Sequence, residues 1–181
     1  MAQERIGVWL IGALGGVSTT AVVGLAGLQK KLAPETGLVS ALPRFQGLGL
    51  ADWPQFVIGG HEIRESTFAA EARQLYEQSR VFDPKLLKEI APVLEGFDKN
   101  LRPGTLINVG RTIESFATEP VRKTSGERPA VAIERISADI AEFRQQQKLD
   151  SVIVVNVAST EPPLSHAAQQ ASWRELSDVI E

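Results

Sequence analysis

The sequence predicts an α/β domain with a doubly wound, mainly parallel sheet and helices on both faces. Three observations carry this. Short apolar or β-branched runs alternate with longer amphipathic stretches along the whole chain. The first run, Ile6 to Ile11, contains no polar residue, as expected of a strand buried on both faces of a parallel sheet. A strongly periodic stretch at 130–148 runs straight into the most β-branched segment, 151–157, which is the order of a parallel crossover.

The elements follow in order. Residues 5–11 read as the first strand and 17–32 as a helix whose small residues and Val22, Val23 and Ala26 suit close packing on a sheet. Lys30 and Lys31 favour its C-terminal end, and Pro34 stops it. Residues 33–54 are rich in Pro and Gly and too long for a plain connection, so part of the segment is expected to be packed or functional. "QFVIGGHEI" reads as the second strand. A helix over 66–80 follows, with Ser66 or Thr67 as its N-cap, then a helix from Asp83 as cap with Pro84 in its first turn. "GTLINV", residues 104–109, is the expected third strand, and 114–129 reads as a mobile loop. After the helix at 130–148 and the strand at 151–157, "EPPL" turns the chain and "SWRELSDVIE" begins a last helix.

Composition limits the function classes. The chain has 181 residues, enough for one domain with a real core. A net charge of −3 with no basic block argues against nucleic acid, whose phosphates demand clustered Lys and Arg. The absence of cysteine excludes disulfides, thiolate chemistry and Cys-ligated zinc, and fits an intracellular, cytoplasmic setting. The stretch Ile6 to Leu28 is apolar, but glycines at 12, 15, 16, 24 and 27 and the run Ser18-Thr19-Thr20 make it a strand, turn and buried helix rather than a membrane span. No metal site is expected. The two histidines, His61 and His166, have no carboxylate cluster beside them, and His61 reads as a satisfied loop histidine.

The chemistry lies in the corner "GALGGVSTT" after the first strand. Strand, glycine corner and helix form the geometry of a Rossmann-like dinucleotide site, where a helix N-terminus offers free N–H groups and a positive dipole end to a pyrophosphate. The spacing is not the usual G-x-G-x-x-G, because Leu14 and Val17 occupy the later glycine places, and there is no P-loop lysine. By spacing alone, a phosphate cradle and a tight turn are equally compatible with it. The acid of such a fold stands at the end of the second strand, and here that place holds Glu62, which could equally cap a helix.

Four segments in order, "VWLIGALGGVSTT", "FVIGGHEI", "ARQLYEQSRVFDPKLLKEIAPVLE" and "ISADIAEFRQQQKLDSVIVVNVASTEPP", resemble the N-terminal part of the myo-inositol-1-phosphate synthase family. The resemblance spans nearly the whole chain. It implies an NAD(P)-binding, Rossmann-like domain over residues 1–181, with NAD favoured as cofactor, and with the catalytic and oligomerisation domain of the family, which carries its lysines, absent from the chain. Gly12, Gly15, Gly16, Ser18, Thr19 and Thr20 would hold the pyrophosphate and Glu62 the adenosine ribose. Ala158, Ser159 and Thr160 would lie near the nicotinamide, although Ser159 and Thr160 could also simply cap the turn before Pro162. The resemblance further implies a phosphosugar substrate, glucose 6-phosphate, in the complete protein. The chemistry would be transient oxidation, aldol cyclisation and reduction, serving inositol and phospholipid biosynthesis in a homo-oligomer, commonly a tetramer. No catalytic residue is assigned within this chain. Val17 and Ser18 stand where familiar members have asparagine, Ser159 replaces another asparagine, and His61 replaces a tryptophan. Two other readings stay open: an NAD-dependent oxidoreductase acting on a different substrate, and a non-catalytic binding or interaction module on the same scaffold.

Overall fold

The computed structural model describes residues 4–107 and 109–158. Four strands form one sheet: β1 (Ile6–Ile11), β2 (Phe56–Glu62), β3 (Leu101–Pro103) and β4 (Ser151–Asn156), in the order β3-β2-β1-β4. Every neighbouring pair is parallel. Among the described residues, six α-helices lie between them: α1 (Gly16–Gln29), α2 (Phe68–Ser79), α3 (Pro84–Asp98), α4 (Arg111–Ser115), α5 (Glu119–Arg122) and α6 (Pro129–Gln146), with three short 3-10 turns between α1 and β2. The chain moves outward from β1 to β3 and then crosses back to β4 on the other side of β1. The reversal places a switch point between the ends of β1 and β4, where open α/β sheets bind ligands.

Alternation along the strands builds two cores. Leu10 and Ile58 face α1, α2 and α3, where Val22, Val23, Ala26, Phe68, Ala72, Ile90 and Leu94 are buried. Trp9 faces the opposite way and packs with Phe143 of α6 and Leu149. Two glycines of β2 make room for this packing. A Cβ on Gly59 would lie 2.8 Å from the Trp9 ring, and one on Gly60 would lie 2.3 Å from the carbonyl oxygen of Leu10.

The caps match the expected chemistry. Thr67, not Ser66, caps α2 by accepting from the Ala70 N–H at 3.1 Å, and Asp83 caps α3 by accepting from the Lys85 N–H at 2.8 Å. Helices α1 and α6 both end in a left-handed lysine, Lys31 (φ 58) and Lys148 (φ 53). Around each, the following residue's N–H reaches back five positions, Leu32 to Gly27 O at 2.8 Å and Leu149 to Arg144 O at 2.9 Å.

Three expectations require correction. The third strand is Leu101–Pro103, not 104–109. Its ladder closes with the Gly104 N–H on Glu62 O; the apolar side chains beyond turn away, and Leu106 joins Ala117 and Val121 in a small separate core. That core organises the 114–129 segment into the end of α4 and all of α5 rather than a plain loop. His61 is satisfied as expected, but it sits in β2 rather than in a loop. The long 33–54 segment is anchored at its ends, where the Gln29 side chain donates to Trp53 O and Phe56 O and Trp53 donates to Glu35. The expected turn at 161–164 and last helix lie outside the described residues.

Candidate dinucleotide site

The corner is built by two bonds from β1's neighbour and one from within. The N–H groups of Gly12 and Ala13 both donate to His61 O at 3.1 Å, and the Gly15 N–H donates to Gly12 O at 3.1 Å. Gly12 has φ 85, a conformation that disfavours any side chain. A Cβ there would also lie 3.1 Å from the backbone of Ala158, so the ends of β1 and β4 meet closely at the switch point. The first helical backbone bond of α1 runs from Thr19 N–H to Gly15 O. The amides of Gly16, Val17 and Ser18 therefore form the open N-terminal turn of a 14-residue helix. Three amides and the positive end of the helix dipole are a donor set that suits a pyrophosphate.

The structure brings most of the expected site residues together. Gly12, Gly15, Gly16, Ser18, Thr19, Thr20, Glu62 and Ala158 all lie at the carboxyl ends of β1, β2 and β4 or in the first turn of α1. Ser159 and Thr160 lie outside the described residues. The hydroxyls face other tasks than the sequence suggests. Ser18 is buried and donates to Gly12 O at 2.8 Å, which locks the corner. Thr20 donates to Gly16 O at 2.7 Å. Thr19 is fully buried under the helix, and its hydroxyl has no hydrogen-bond partner among the described residues. Backbone amides, rather than these side chains, are the open donors.

Glu62 stands at the end of β2, as the fold requires, and is heavily engaged. One carboxylate oxygen accepts from the Leu14 N–H at 2.7 Å, and the other accepts from the Ile63 N–H at 2.9 Å and the Arg64 N–H at 3.2 Å. The Arg64 guanidinium adds longer contacts at 3.3 and 3.4 Å. Beside this pair, a cleft of about 390 Å³ opens at the carboxyl ends of β1, β2 and β3, lined by Leu14, Glu62, Arg64, Thr67, Arg102 and Thr118 among others. A larger hollow of about 540 Å³ lies at the opposite, amino-terminal edge, among Lys31, Glu35, Asp52 and Trp53. Position favours the smaller one, since parallel sheets bind their ligands beyond the carboxyl ends of the strands.

Two groups at the site escape sequence reasoning. Arg64 follows the acid by two residues, and only its polarity at a strand end hinted at a site role. The imidazole of His61 is buried between strand and helix. Its Nδ1 accepts from Trp9 Nε1–H at 2.9 Å, and its Nε2–H donates to Asp139 of α6 at 2.9 Å. Burial holds its pKa below 6.5 despite Asp139, with Arg135 and Arg102 pushing the same way as burial.

Among the described residues, no helix is long and apolar enough to cross a membrane. No curated protein matches the chain in sequence. Solved structures similar to it include two of related proteins. The inositol-3-phosphate synthase of Caenorhabditis elegans has a TM-score of 0.75 at 20% identity, over 98% of this chain and 39% of that one. A myo-inositol-1-phosphate synthase-related protein of Thermotoga maritima has a TM-score of 0.52 at 17% identity, over 87% of this chain and 35% of that one. The chain thus spans less than two fifths of the length of either. At these identities the likeness shows the fold alone, a Rossmann-like α/β arrangement. A family model, the NAD-binding domain of myo-inositol-1-phosphate synthase, matches residues 6–181. With the match covering almost the whole chain, and the glycine corner, switch point and strand-end acid in place, the chain belongs to the myo-inositol-1-phosphate synthase family, as its NAD-binding domain.

Proposed function

We propose that this chain holds NAD for an isomerase that converts glucose 6-phosphate to an inositol phosphate. The observation that carries the reading is the open first turn of α1, three backbone amides presented beside the β1–β4 switch point. Those amides receive the pyrophosphate. Gly12, Gly15 and Gly16 let the backbone come close, and Ser18, Thr19 and Thr20 shape the turn. NAD would supply a reversible hydride acceptor. This chain's part is to orient the dinucleotide across the sheet, with Ala158, Ser159 and Thr160 beside the nicotinamide.

Glu62 takes the adenosine ribose at the edge of the smaller cleft. Its short bonds to Leu14 and Ile63 stay, and the Arg64 contacts, at 3.3 and 3.4 Å, are long enough for a ribose hydroxyl to share the carboxylate without displacing the guanidinium. A carboxylate there disfavours the 2′-phosphate of NADP. The sugar chemistry, the homo-oligomer and a cytoplasmic setting belong to the complete protein in this proposal, with residues 1–181 as its NAD-binding domain.

One observation favours a second reading. Ser18 and Glu62 are committed to internal bonds, as they would be in a binding module that kept the corner as a structural turn. Calorimetry with NAD and NADP separates the two. The first reading expects NAD binding, weaker NADP binding, and a loss of NAD affinity in Glu62→Gln. No affinity for either dinucleotide at millimolar concentration supports the module.

A further inference from the structure

The peptide groups of Leu14 are gripped at both polar ends by one ion pair. The N–H of Leu14 donates to Glu62 Oε2 at 2.7 Å, and the Leu14 carbonyl accepts from Arg64 Nη2. The same guanidinium contacts Glu62 through Nε and Nη2, and its Nη1 donates to Glu71 of α2 at 3.3 Å. Its plane is thereby fixed by two carboxylates and a carbonyl on three different segments. Leu14 itself is buried, with 1% of its surface exposed, while Arg64 is one-third exposed at the wall of the smaller cleft.

The place of Leu14 gives this grip its meaning. The corner enters with the amides of Gly12 and Ala13 on His61 O and leaves with Gly15 as the N-cap of α1. Leu14 is the one residue between these fixed points, and its peptides set the angle at which the Gly16–Ser18 amides emerge. A corner with two of the usual three glycine places filled by larger residues has less freedom to adapt to a phosphate. Its donors must be held in place beforehand.

We propose that Arg64 is a positioning residue for the dinucleotide corner, acting with Glu62 through the two polar ends of Leu14. The proposal rests on the reading of the corner as a pyrophosphate site. Lysine cannot reproduce the role, since a single ammonium does not reach Leu14 O, Glu62 and Glu71 together as a planar fork does.

The test compares the 181-residue chain with its Arg64→Lys and Arg64→Met variants. NAD affinity is read by calorimetry and the Leu14 amide by hydrogen exchange in the absence of ligand. Expected is a loss of NAD affinity of about tenfold or more in Arg64→Met, with a smaller loss in Arg64→Lys, by analogy with groups that orient primary ligands. Exchange at Leu14 rises in the same order. Lost affinity with unchanged exchange would make Arg64 a direct ligand contact and overturn the positioning role, and so would unchanged affinity. If the parent chain binds no NAD, the functional reading fails on its own, and exchange still decides whether Arg64 holds the corner. If Arg64→Met does not fold, Arg64→Lys carries the same comparison.

Discussion

The indole Nε1–H of Trp9 donates to Nδ1 of His61 at 2.9 Å, and this bond fixes the tautomer of a buried imidazole. An indole nitrogen only donates, so His61 must accept there and carry its proton on Nε2, facing Asp139. The same residue's carbonyl receives the Gly12 and Ala13 amides. A single strand position thus ties β1, α6 and the glycine corner together.

Protonating His61 would set two donors against each other at the Trp9 contact. The groups facing it are Asp139 and Arg135 of α6 and Arg102 of β3, and burial outweighs the attraction of Asp139. The folded pKa is depressed, so the stabilisation from the neutral ring is fully present above 6.5. It is lost as the pH falls from 6.5 through the folded value. Urea midpoints measured from pH 8 to pH 5 are expected to fall, and the His61-dependent part of the fall should vanish in His61→Gln, which keeps an acceptor and a donor but does not titrate. His61→Ala strands the Trp9 N–H and opens a cavity, for an expected loss of about 2–3 kcal/mol at pH 8.

Two glycines give opposite outcomes on substitution by alanine. Gly60 faces the Leu10 carbonyl so closely that a Cβ would approach it to 2.3 Å, and backbone in a central strand cannot move aside. Gly60→Ala is expected to lose about 3 kcal/mol or more, or to prevent folding. Gly96 lies in α3 with nothing within 4 Å of an added Cβ. Gly96→Ala should stabilise by about 1 kcal/mol through helix propensity. Thermal unfolding of the two variants checks both signs in one experiment.

Much of the architecture was legible because local and global signals agree. The uninterrupted apolar run of β1, the Asp83-Pro84 start of α3 and the periodicity of α6 each point to the element that forms. The third strand lies earlier than the sequence suggests: Leu106 and Ile107 look like strand residues, yet Leu106 packs in the small core with Ala117 and Val121, contacts that no local pattern reveals. In the site, the glycines and Glu62 could be read from position along the chain. The direction of each hydroxyl could not. Ser18 faces back to Gly12, and Thr19 faces into the core, because the helix phase set by Gly15 decides it. The pairing of Arg64 with Leu14 spans 50 residues and depends on the β1–β2 register.

Lys31 and Lys148 each hold a left-handed conformation at the end of a helix, where glycine is the favoured residue. Both are exposed, and neither side chain takes part in a hydrogen bond or ion pair found among the described residues. Lys31→Gly and Lys148→Gly are each expected to gain about 0.5–1 kcal/mol, since relief of the strained φ exceeds the added freedom of the unfolded chain. The two sites sit at the ends of different helices, so the gains should add in the double variant. Chemical denaturation reads the increments directly.

Ser18 offers the sharpest separation of a structural from a ligand-contacting role. Its hydroxyl is buried and donates to Gly12 O at 2.8 Å, so it closes the corner from inside. Ser18→Ala deletes that bond but leaves the carbonyl its Gly15 partner, for an expected loss of about 1 kcal/mol. For a chain of this size that is a shift of about 2–4 °C in Tm. If the hydroxyl works only inside the corner, NAD affinity should fall through a loosened corner, with faster exchange at the Gly15 amide. If it turns to the phosphate when NAD binds, affinity should fall while Gly15 exchange in the NAD-saturated variant matches that of the NAD-saturated parent, because the bond to Gly12 O is then absent from both. Measuring Tm, Gly15 exchange and NAD affinity on the same variant tells the two apart, because only the internal role requires affinity and corner order to change together.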